Sequence, residues 1–341
     1  MRRRSSVLKS RLNFSTFTRA WARKLICALL FALFSFSAQA QWPTERPIHL
    51  VVPFPAGSSP DLLARHIAIP LSKELKQTVV IENKPGAGGN IGTRQVARAT
   101  PDGYTLLYTI NGPLVTAPAL YQKTLGYSPL KDLAPITLVA TSPNILVMNN
   151  TFKKISIAEF IAQARKQPGI LNYGSVGIGS ASQLAMELFA KQAGIEMNHV
   201  PYAGFPQIMT ALIAGDIQAA FIVPAIAMPH VKEGKVHALG ISSLEAAPTL
   251  PGIAPLAKQG FPGFEAISWN AILAPAGTPE DVLERLNHAL AAIIQSQDMK
   301  NTAATNHFNA VGSSAETLTA VINTETNRWV PVIKQLQISL D

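Results

Sequence analysis

The sequence predicts an α/β protein with two lobes, and three observations support this. Short β-branched runs alternate with amphipathic helices at a spacing typical of βαβ units. The alternation restarts near residue 143, and no low-complexity linker separates the two parts. The chain has 341 residues, which is more than one ordinary core needs and suits two lobes of usual size. We therefore expect lobes joined by short strands that cross between them.

The first lobe is predicted to open with a strand, a loop and a helix. The apolar run 48–52 is a predicted strand, and it ends at the Pro- and Gly-rich loop 53–60. From 61 towards 75 the apolar residues have helical spacing. Further strands are predicted at 78–82 and 104–109. Strands and helices in this order predict a parallel sheet with right-handed crossovers.

The second lobe repeats the pattern with a strand at 144–148, a helix at 157–165 and a strand closing at 172–175. A helix at 181–192 then follows the small-residue loop 174–182. The remaining predicted elements are strands at 197–200, 219–223, 238–242 and 269–273, helices at 207–214 and 279–295, and a helix after 313–314. For the helix at 279–295 we predict Thr278 as the N-cap with Pro279 at the first helical position.

Residues 1–40 are predicted to be a cleaved secretory signal. They carry a basic start, an apolar run from 25 to 36 and the small-x-small pattern Ala38-Gln39-Ala40. A membrane anchor is the alternative, but the apolar run is short for a bilayer span of about 20 residues. Removing 8 of the 29 basic residues and none of the 20 acidic residues leaves a formal net charge of +1. We therefore expect a periplasmic protein without a nucleic-acid partner.

Cysteine and enzyme motifs are scarce. The single cysteine, Cys27, lies in the predicted signal, so the mature chain has no disulfide, thiolate metal site or cysteine nucleophile. The seven histidines form no ligand pair at helical spacing, and each is predicted to be a surface or packing residue. The glycines of 84–92 depart from the dinucleotide fingerprint and follow the second strand. We predict no metal, no cofactor and no enzyme activity.

Two loops carry the chemistry. The segments 54–61 and 174–182 place glycines and small residues just before predicted helices, one in each lobe. A helix N-terminus offers unpaired N–H donors and a partial positive charge, which suit a carboxylate. Either loop alone is also compatible with an ordinary turn between a strand and a helix. Because each follows the carboxyl end of a strand, the pair predicts one ligand cleft.

Several longer motifs occur along the mature chain. They are Val-Pro-Phe-Pro-Ala-Gly at 52–57 with Asp61, and the segments 82–92, 101–106, 127–136, 200–202 and 274–279. In sequence and order they closely resemble the substrate-binding proteins of tripartite tricarboxylate transporters, also called the Bug family, over essentially the whole mature chain. The resemblance implies a type II periplasmic binding-protein fold of two α/β lobes with a hinge and a ligand cleft between them. Lobe 1 would be 41–142 plus 267–341, and lobe 2 would be 143–266.

The resemblance also implies a carboxylate ligand, held mostly by backbone N–H groups and water. We predict that it binds loop 54–60 first and that lobe closure then brings the second loop to its other end. Phe54, Phe205 and Trp269 are candidates to set ligand shape or to pack in the core. The predicted ligand-binding residues are Phe54, Ala56, Gly57, Ser58, Ser59, Asp61, Asn111, Ser175, Gly179, Ser180, Gln183, Tyr202, Ala203 and Gly204.

The sequence departs from the family pattern at the ligand loops. Ser58 replaces a usual glycine, and Pro60 removes an N–H donor. Gln183 stands where the family often has His, and Ala203 stands where a basic residue is common. These changes make the mouth of the cleft less cationic. They open the prediction beyond tricarboxylates to a monocarboxylate, an aromatic acid or a ligand with an amide.

The predicted function is capture of a small carboxylate by lobe closure and delivery to a membrane permease of the tripartite type. We expect a monomer. One alternative is a ligand sensor that docks on a sensor kinase. A remote alternative is a periplasmic hydrolase using a serine from 174–182, for which the sequence offers no visible base.

Overall fold

A computed structural model describes residues 42–152 and 155–341. Residues 46–341 form one compact unit within it. No helix in these two ranges is long and apolar enough to cross a membrane. The predicted signal peptide, 1–40, lies outside the described residues.

The first sheet has six strands in the order β11-β4-β10-β3-β1-β2. Its strands are β1 Ile48–Val52, β2 Val79–Asn83, β3 Thr105–Ile110, β4 Leu133–Ser142, β10 Ser268–Pro275 and β11 Asn309–Ala310. β1 lies between β2 and β3 and is parallel to both. β10 is antiparallel to β3 and to β4, so the chain returns to this sheet from the second one.

The second sheet has five strands in the order β7-β6-β8-β5-β9. Its strands are β5 Ile145–Asn149, β6 Asn172–Ser175, β7 Asn198–Pro201, β8 Ala219–Ile222 and β9 Val236–Ile241. β6 is parallel to β7 and β8, whereas β5 is antiparallel to β8 and β9. Both sheets therefore contain parallel and antiparallel strands. The predicted parallel pairing is confirmed only among β1, β2 and β3 and among β6, β7 and β8.

Helices cover both sheets. They are α1 Ser59–Leu75, α2 Asn90–Ala97, α3 Ala117–Leu120, α4 Pro129–Asp132, α5 Ile157–Lys166, α6 Ala181–Ala193, α7 Phe205–Ala214, α8 Pro224–Lys232, α9 Glu280–Gln295, α10 Gln297–Thr305 and α11 Ala315–Gln335. The predicted cap of α9 is wrong by one residue, because Pro279 is the N-cap and the Thr278 hydroxyl donates to the Pro275 carbonyl at 2.8 Å. The elements that were not predicted are β4, β11, α3, α4, α8 and α10.

The chain crosses between the sheets at two places that hydrogen bonds tie together. β4 runs into β5 through Asn144, and β9 returns to β10 through a segment that contains Ala266. Asn144 donates its backbone N–H to the Ser242 hydroxyl at 2.8 Å and its side-chain amide to the Ala266 carbonyl at 2.9 Å. Ser242 also donates to that carbonyl at 2.8 Å. The residue boundaries of the two lobes stay a prediction, but these crossings are where a hinge would lie.

The C-terminal helix α11 carries a buried ionic cluster. Glu325 is only 4% exposed and accepts hydrogen bonds from Arg328 at 2.5 Å and from the Trp329 indole at 2.9 Å. Arg328 also pairs with Glu265 at 2.7 Å, in the segment that returns to β10. Burial raises the pKa of Glu325, although the Trp329 and Arg328 contacts favour its charged form. Arg328 thus joins α11 to the returning segment.

Replacing Arg328 with Met should therefore destabilise the protein by about 3 kcal/mol, since it leaves the buried carboxylate of Glu325 and the partly buried one of Glu265 without their cation. Urea unfolding of the mature chain measures the change. Lys235→Met is the control, because the Lys235–Glu233 pair at 2.7 Å is about half exposed and should contribute little. Equal losses in the two variants would contradict a structural role for the buried cluster.

Candidate functional site

A cavity of about 810 Å³ lies between the parts of the chain that form the two sheets. The starts of α1 and α6 line it, as do the starts of α7 and α8. The crossing segments reach it through Asn144 and Trp269. The cavity therefore joins both predicted loops to both crossings.

The loop before α1 is held by its own side chains. Gly57 has φ +79°, and its N–H donates to the Asp61 carboxylate at 2.8 Å. The Ser58 hydroxyl donates to the Pro55 carbonyl at 2.7 Å, so it does not cap the helix. Pro60 has no N–H. Of the first-turn donors, those of Ser59 and Asp61 have no partner within the described chain.

Asp61 lies behind the cavity wall and stabilises this loop. Its side chain is buried and accepts from Arg65 Nε at 2.9 Å and Asn83 Nδ2 at 2.9 Å, besides Gly57. Burial alone would raise the pKa of Asp61, but the hydrogen bonds from Arg65, Gly57 and Asn83 together hold it below its usual value. The carboxylate is thus ionised and engaged, and its negative charge is balanced by Arg65.

The loop before α6 repeats this arrangement. Gly179 has φ +75°, and its N–H donates to the side-chain oxygen of Gln183 at 2.6 Å. The N-cap Ser180 accepts from the Gln183 backbone N–H at 3.3 Å. The N–H groups of Ala181 and Ser182, in the first turn, have no partner within the described chain. The loops before both helices therefore share the pattern Gly-Ser-x-x-Asp/Gln. In each, the glycine N–H donates to the side-chain oxygen of the residue four positions later.

Gly179 also fits against the first half of the chain. A Cβ at this position would come within 2.7 Å of Leu120 Cδ1, and φ +75° is strained for other residues. Leu120 itself lines the cavity. Only glycine allows α3 and the α6 loop to approach this closely.

His199 is a site residue that sequence reasoning missed. Its Nε2 lies 2.6 Å from the Ser175 hydroxyl, its Nδ1 lies 3.3 Å from Gln183 Nε2, and its ring stacks on Tyr173. The prediction that each histidine is a surface or packing residue overlooked these contacts. β7 lies beside β6 with His199 opposite Tyr173, and this pairing was not visible in the sequence. The cluster supports the α6 loop from below.

The hydrogen-bond partners assign the protons of this cluster. Gln183 Oε1 accepts from Gly179, so its Nε2 faces His199 Nδ1, which must accept. Nε2 of His199 therefore carries the proton and donates to Ser175, whose hydroxyl donates to the Gly177 carbonyl at 2.9 Å. Burial lowers the pKa of His199, which favours the neutral ring. In this state His199 is a donor to Ser175 rather than its base.

The predicted ligand residues divide between the cavity wall and its support. Those that line the cavity are Phe54, Gly57, Ser58, Ser59, Asn111, Gly179 and Ser180. Those that do not are Ala56, Asp61, Ser175, Gln183, Tyr202, Ala203 and Gly204. Among the latter, Asp61, Ser175 and Gln183 are buried behind the loops. Phe205 and Trp269 line the cavity, as one of their two predicted roles requires.

The C-terminal segment is a further part of the wall that was not predicted. Leu340 lines the cavity, and its N–H donates to the Leu120 carbonyl at 2.7 Å. Asp341 accepts from the backbone N–H of Lys123 at 2.8 Å. No local pattern signals these contacts, because they join residues more than two hundred positions apart. No group of three or more His, Cys, Asp or Glu in 42–152 and 155–341 could hold a metal ion.

Comparison with known proteins places this geometry among solute receptors. Residues 63–338 match the model of the tripartite tricarboxylate transporter family receptor. The UPF0065 protein in the tcbD-tcbE intergenic region of Pseudomonas sp. (strain P51) is 33% identical over 322 residues. The match covers 93% of this chain and 95% of that relative.

Two solved structures share the fold. The R. palustris protein Rpa4515 with adipate is 33% identical, with a TM-score of 0.76 over 88% of this chain and 100% of that chain. The periplasmic binding protein BugD is 33% identical, with a TM-score of 0.71 over 86% of this chain and 98% of that chain. The predicted type II periplasmic binding-protein fold is thereby confirmed.

The His199 cluster predicts a pH dependence of stability. The unfolded chain binds a proton at His199 near pH 6.5, whereas the folded chain resists it because burial lowers the pKa. The contribution of the neutral ring is complete above pH 6.5 and is lost as the pH falls below that value. The melting temperature should therefore fall less between pH 8 and pH 5.5 in His199→Gln than in the parent protein. His288→Gln, an exposed position on α9, is the control, and an equal loss in parent and His199→Gln would refute the assignment.

Proposed function

Since this chain belongs to the receptor family of tripartite tricarboxylate transporters, the Bug family, we propose that it captures a small carboxylate in the periplasm and delivers it to a membrane permease. Export by the predicted signal 1–40 is part of this proposal. So is closure of the two lobes, 41–142 plus 267–341 and 143–266, around the ligand.

One observation carries the proposal. The N-termini of α1 and α6 both open into one cavity, and each leaves first-turn N–H groups without a partner in the described chain. Such groups carry a partial positive charge and bind carboxylates without any cationic side chain. The Gly-Ser-x-x-Asp/Gln loops fix their direction before the ligand arrives, so little ordering is required on binding. The R. palustris relative with adipate supports a carboxylate ligand.

Closure would act at the crossings. Asn144 and Ser242 bind each other and the Ala266 carbonyl, so the two crossing segments would move together during closure. A ligand that contacts α1 on one side and α6 on the other favours the closed state through this difference in contacts. The closed surface is then available to the permease.

The two alternatives fare differently. A sensor role would use the same closed complex, and a pull-down with permease and sensor-kinase domains separates the two. The hydrolase alternative now has a histidine next to Ser175, but Ser175 is fully buried and its hydroxyl is bound to Gly177. We therefore assign Ser175 and His199 to loop support and propose no enzyme activity.

Charge at the helix N-termini provides the test. At a concentration one hundred times its dissociation constant, adipate should stabilise the mature chain by about 2.7 kcal/mol. This stabilisation should be seen as a higher melting temperature. Ser59→Asp and Ala181→Asp place a competing carboxylate on the first residue of α1 and α6, and calorimetry should show at least tenfold weaker adipate binding.

The matched controls are Ser59→Asn and Ala181→Asn, which have the same shape without the charge and should bind within about threefold of the parent. Circular dichroism checks that all four variants fold. Unchanged affinity in both Asp variants would refute the two-helix site. Absence of binding to any mono-, di- or tricarboxylate would refute the carboxylate function.

A further inference from the structure

The part of the cavity wall that the structure describes is uncharged, since none of its lining residues is Lys, Arg, His, Asp or Glu. The polar side chains of this wall are neutral: they are Ser, Thr and Asn, including Asn111 and Asn144, together with Tyr121 and Trp269. Positive potential is therefore concentrated at the helix N-termini, whose influence falls off within the first turn.

Two ionisable groups that lie behind the ligand loops are already engaged. Arg65, the nearest cation to the first loop in sequence, donates to Asp61 at 2.9 Å and to Asn83 at 3.0 Å. His199 is bound on both ring nitrogens, to Ser175 and to Gln183. Neither group is free to compensate a negative charge in the middle of the cavity.

Large apolar side chains line the cavity between the two helix N-termini. Phe54 follows β1, Phe205 begins α7, Ile226 lies in the first turn of α8, and Phe308 precedes β11. Phe54, Phe205 and Ile226 are half-buried, so part of each surface remains for a ligand. These faces contact apolar or aromatic groups favourably and offer no partner to an ion.

Two buried side chains of β10 also belong to the wall, and both are neutral. Trp269 and Asn270 line the cavity and are at most 2% exposed. Trp269 Nε1 and Asn270 Oδ1 are buried and have no hydrogen-bond partner among the described residues. This part of the wall therefore offers no counter-charge to a ligand carboxylate.

We propose that this receptor selects carboxylates whose charge lies only at the ends and whose body is uncharged and apolar or aromatic. The inference rests on the proposed function and narrows its ligand class. A third carboxylate in the body would be taken out of water without a counter-charge, and this penalty is large. Citrate-like ligands would thus be rejected although the family is named for tricarboxylates.

Six-carbon acids test the proposal at constant size. Hexanoate, adipate and tricarballylate (propane-1,2,3-tricarboxylate) are titrated into the mature chain by calorimetry at pH 7.5. Benzoate and benzene-1,3,5-tricarboxylate form an aromatic pair. Of hexanoate and adipate, the one that binds more tightly should have at least tenfold higher affinity than tricarballylate. Benzoate should likewise have at least tenfold higher affinity than benzene-1,3,5-tricarboxylate.

A charged variant checks the cause. Ile226→Lys introduces a cation into the wall, and Ile226→Gln is the matched polar control. The ratio of adipate affinity to tricarballylate affinity should be at least threefold smaller in the Lys variant than in the Gln variant. An unchanged ratio would show that the missing counter-charge is not the cause.

The outcomes separate the two proposals. If tricarballylate binds as tightly as adipate or more so, the selectivity is refuted and the carboxylate function is upheld. If none of the five acids binds, this inference is overturned, and the wider carboxylate screen then decides whether the function falls with it.

Discussion

Unpaired N–H groups at the start of α1 and α6 are the constraint on which the site depends. A helix cannot satisfy its own first donors. These two helices leave theirs in a cavity whose described lining residues include no cation. The sheets hold the two helix starts at the ends of β1 and β6. An anion is the complement of such a site. We propose that the crossing segments around Asn144 let the two halves close on it.

The two halves solve the same problem with the same local device. In each loop a glycine N–H binds a side-chain oxygen four residues ahead, Asp61 in one case and Gln183 in the other. Asp61 is charged and Gln183 is neutral, so the two loops have different supporting side chains. Asp61 needs Arg65 as a partner, whereas Gln183 is neutral and rests on His199. The two ends of the cavity are therefore alike in geometry and different in electrostatics.

Features with local causes could be predicted from the sequence, and features that depend on distant contacts could not. The loops at 54–61 and 174–182 were found because glycine, small residues and the following helical spacing are all local signals. His199 escaped because strand pairing brings it to Ser175, 24 residues away. Leu340 escaped because the C-terminal segment folds back on Leu120. The strands β5 and β10 were predicted, but their antiparallel direction was not, because local spacing predicts a strand without its direction.

The most direct test of the central claim is the amide spectrum of the deuterated, ¹⁵N-labelled mature chain during titration with adipate. Carboxylate bound to backbone donors should move the amide protons of Ser59, Ala181 and Ser182 downfield more than those of other residues. The supporting donors of Gly57 and Gly179 should move less, since they are already bound to Asp61 and Gln183. Shifts centred on side-chain cations outside the cavity, with these amides unchanged, would contradict the account.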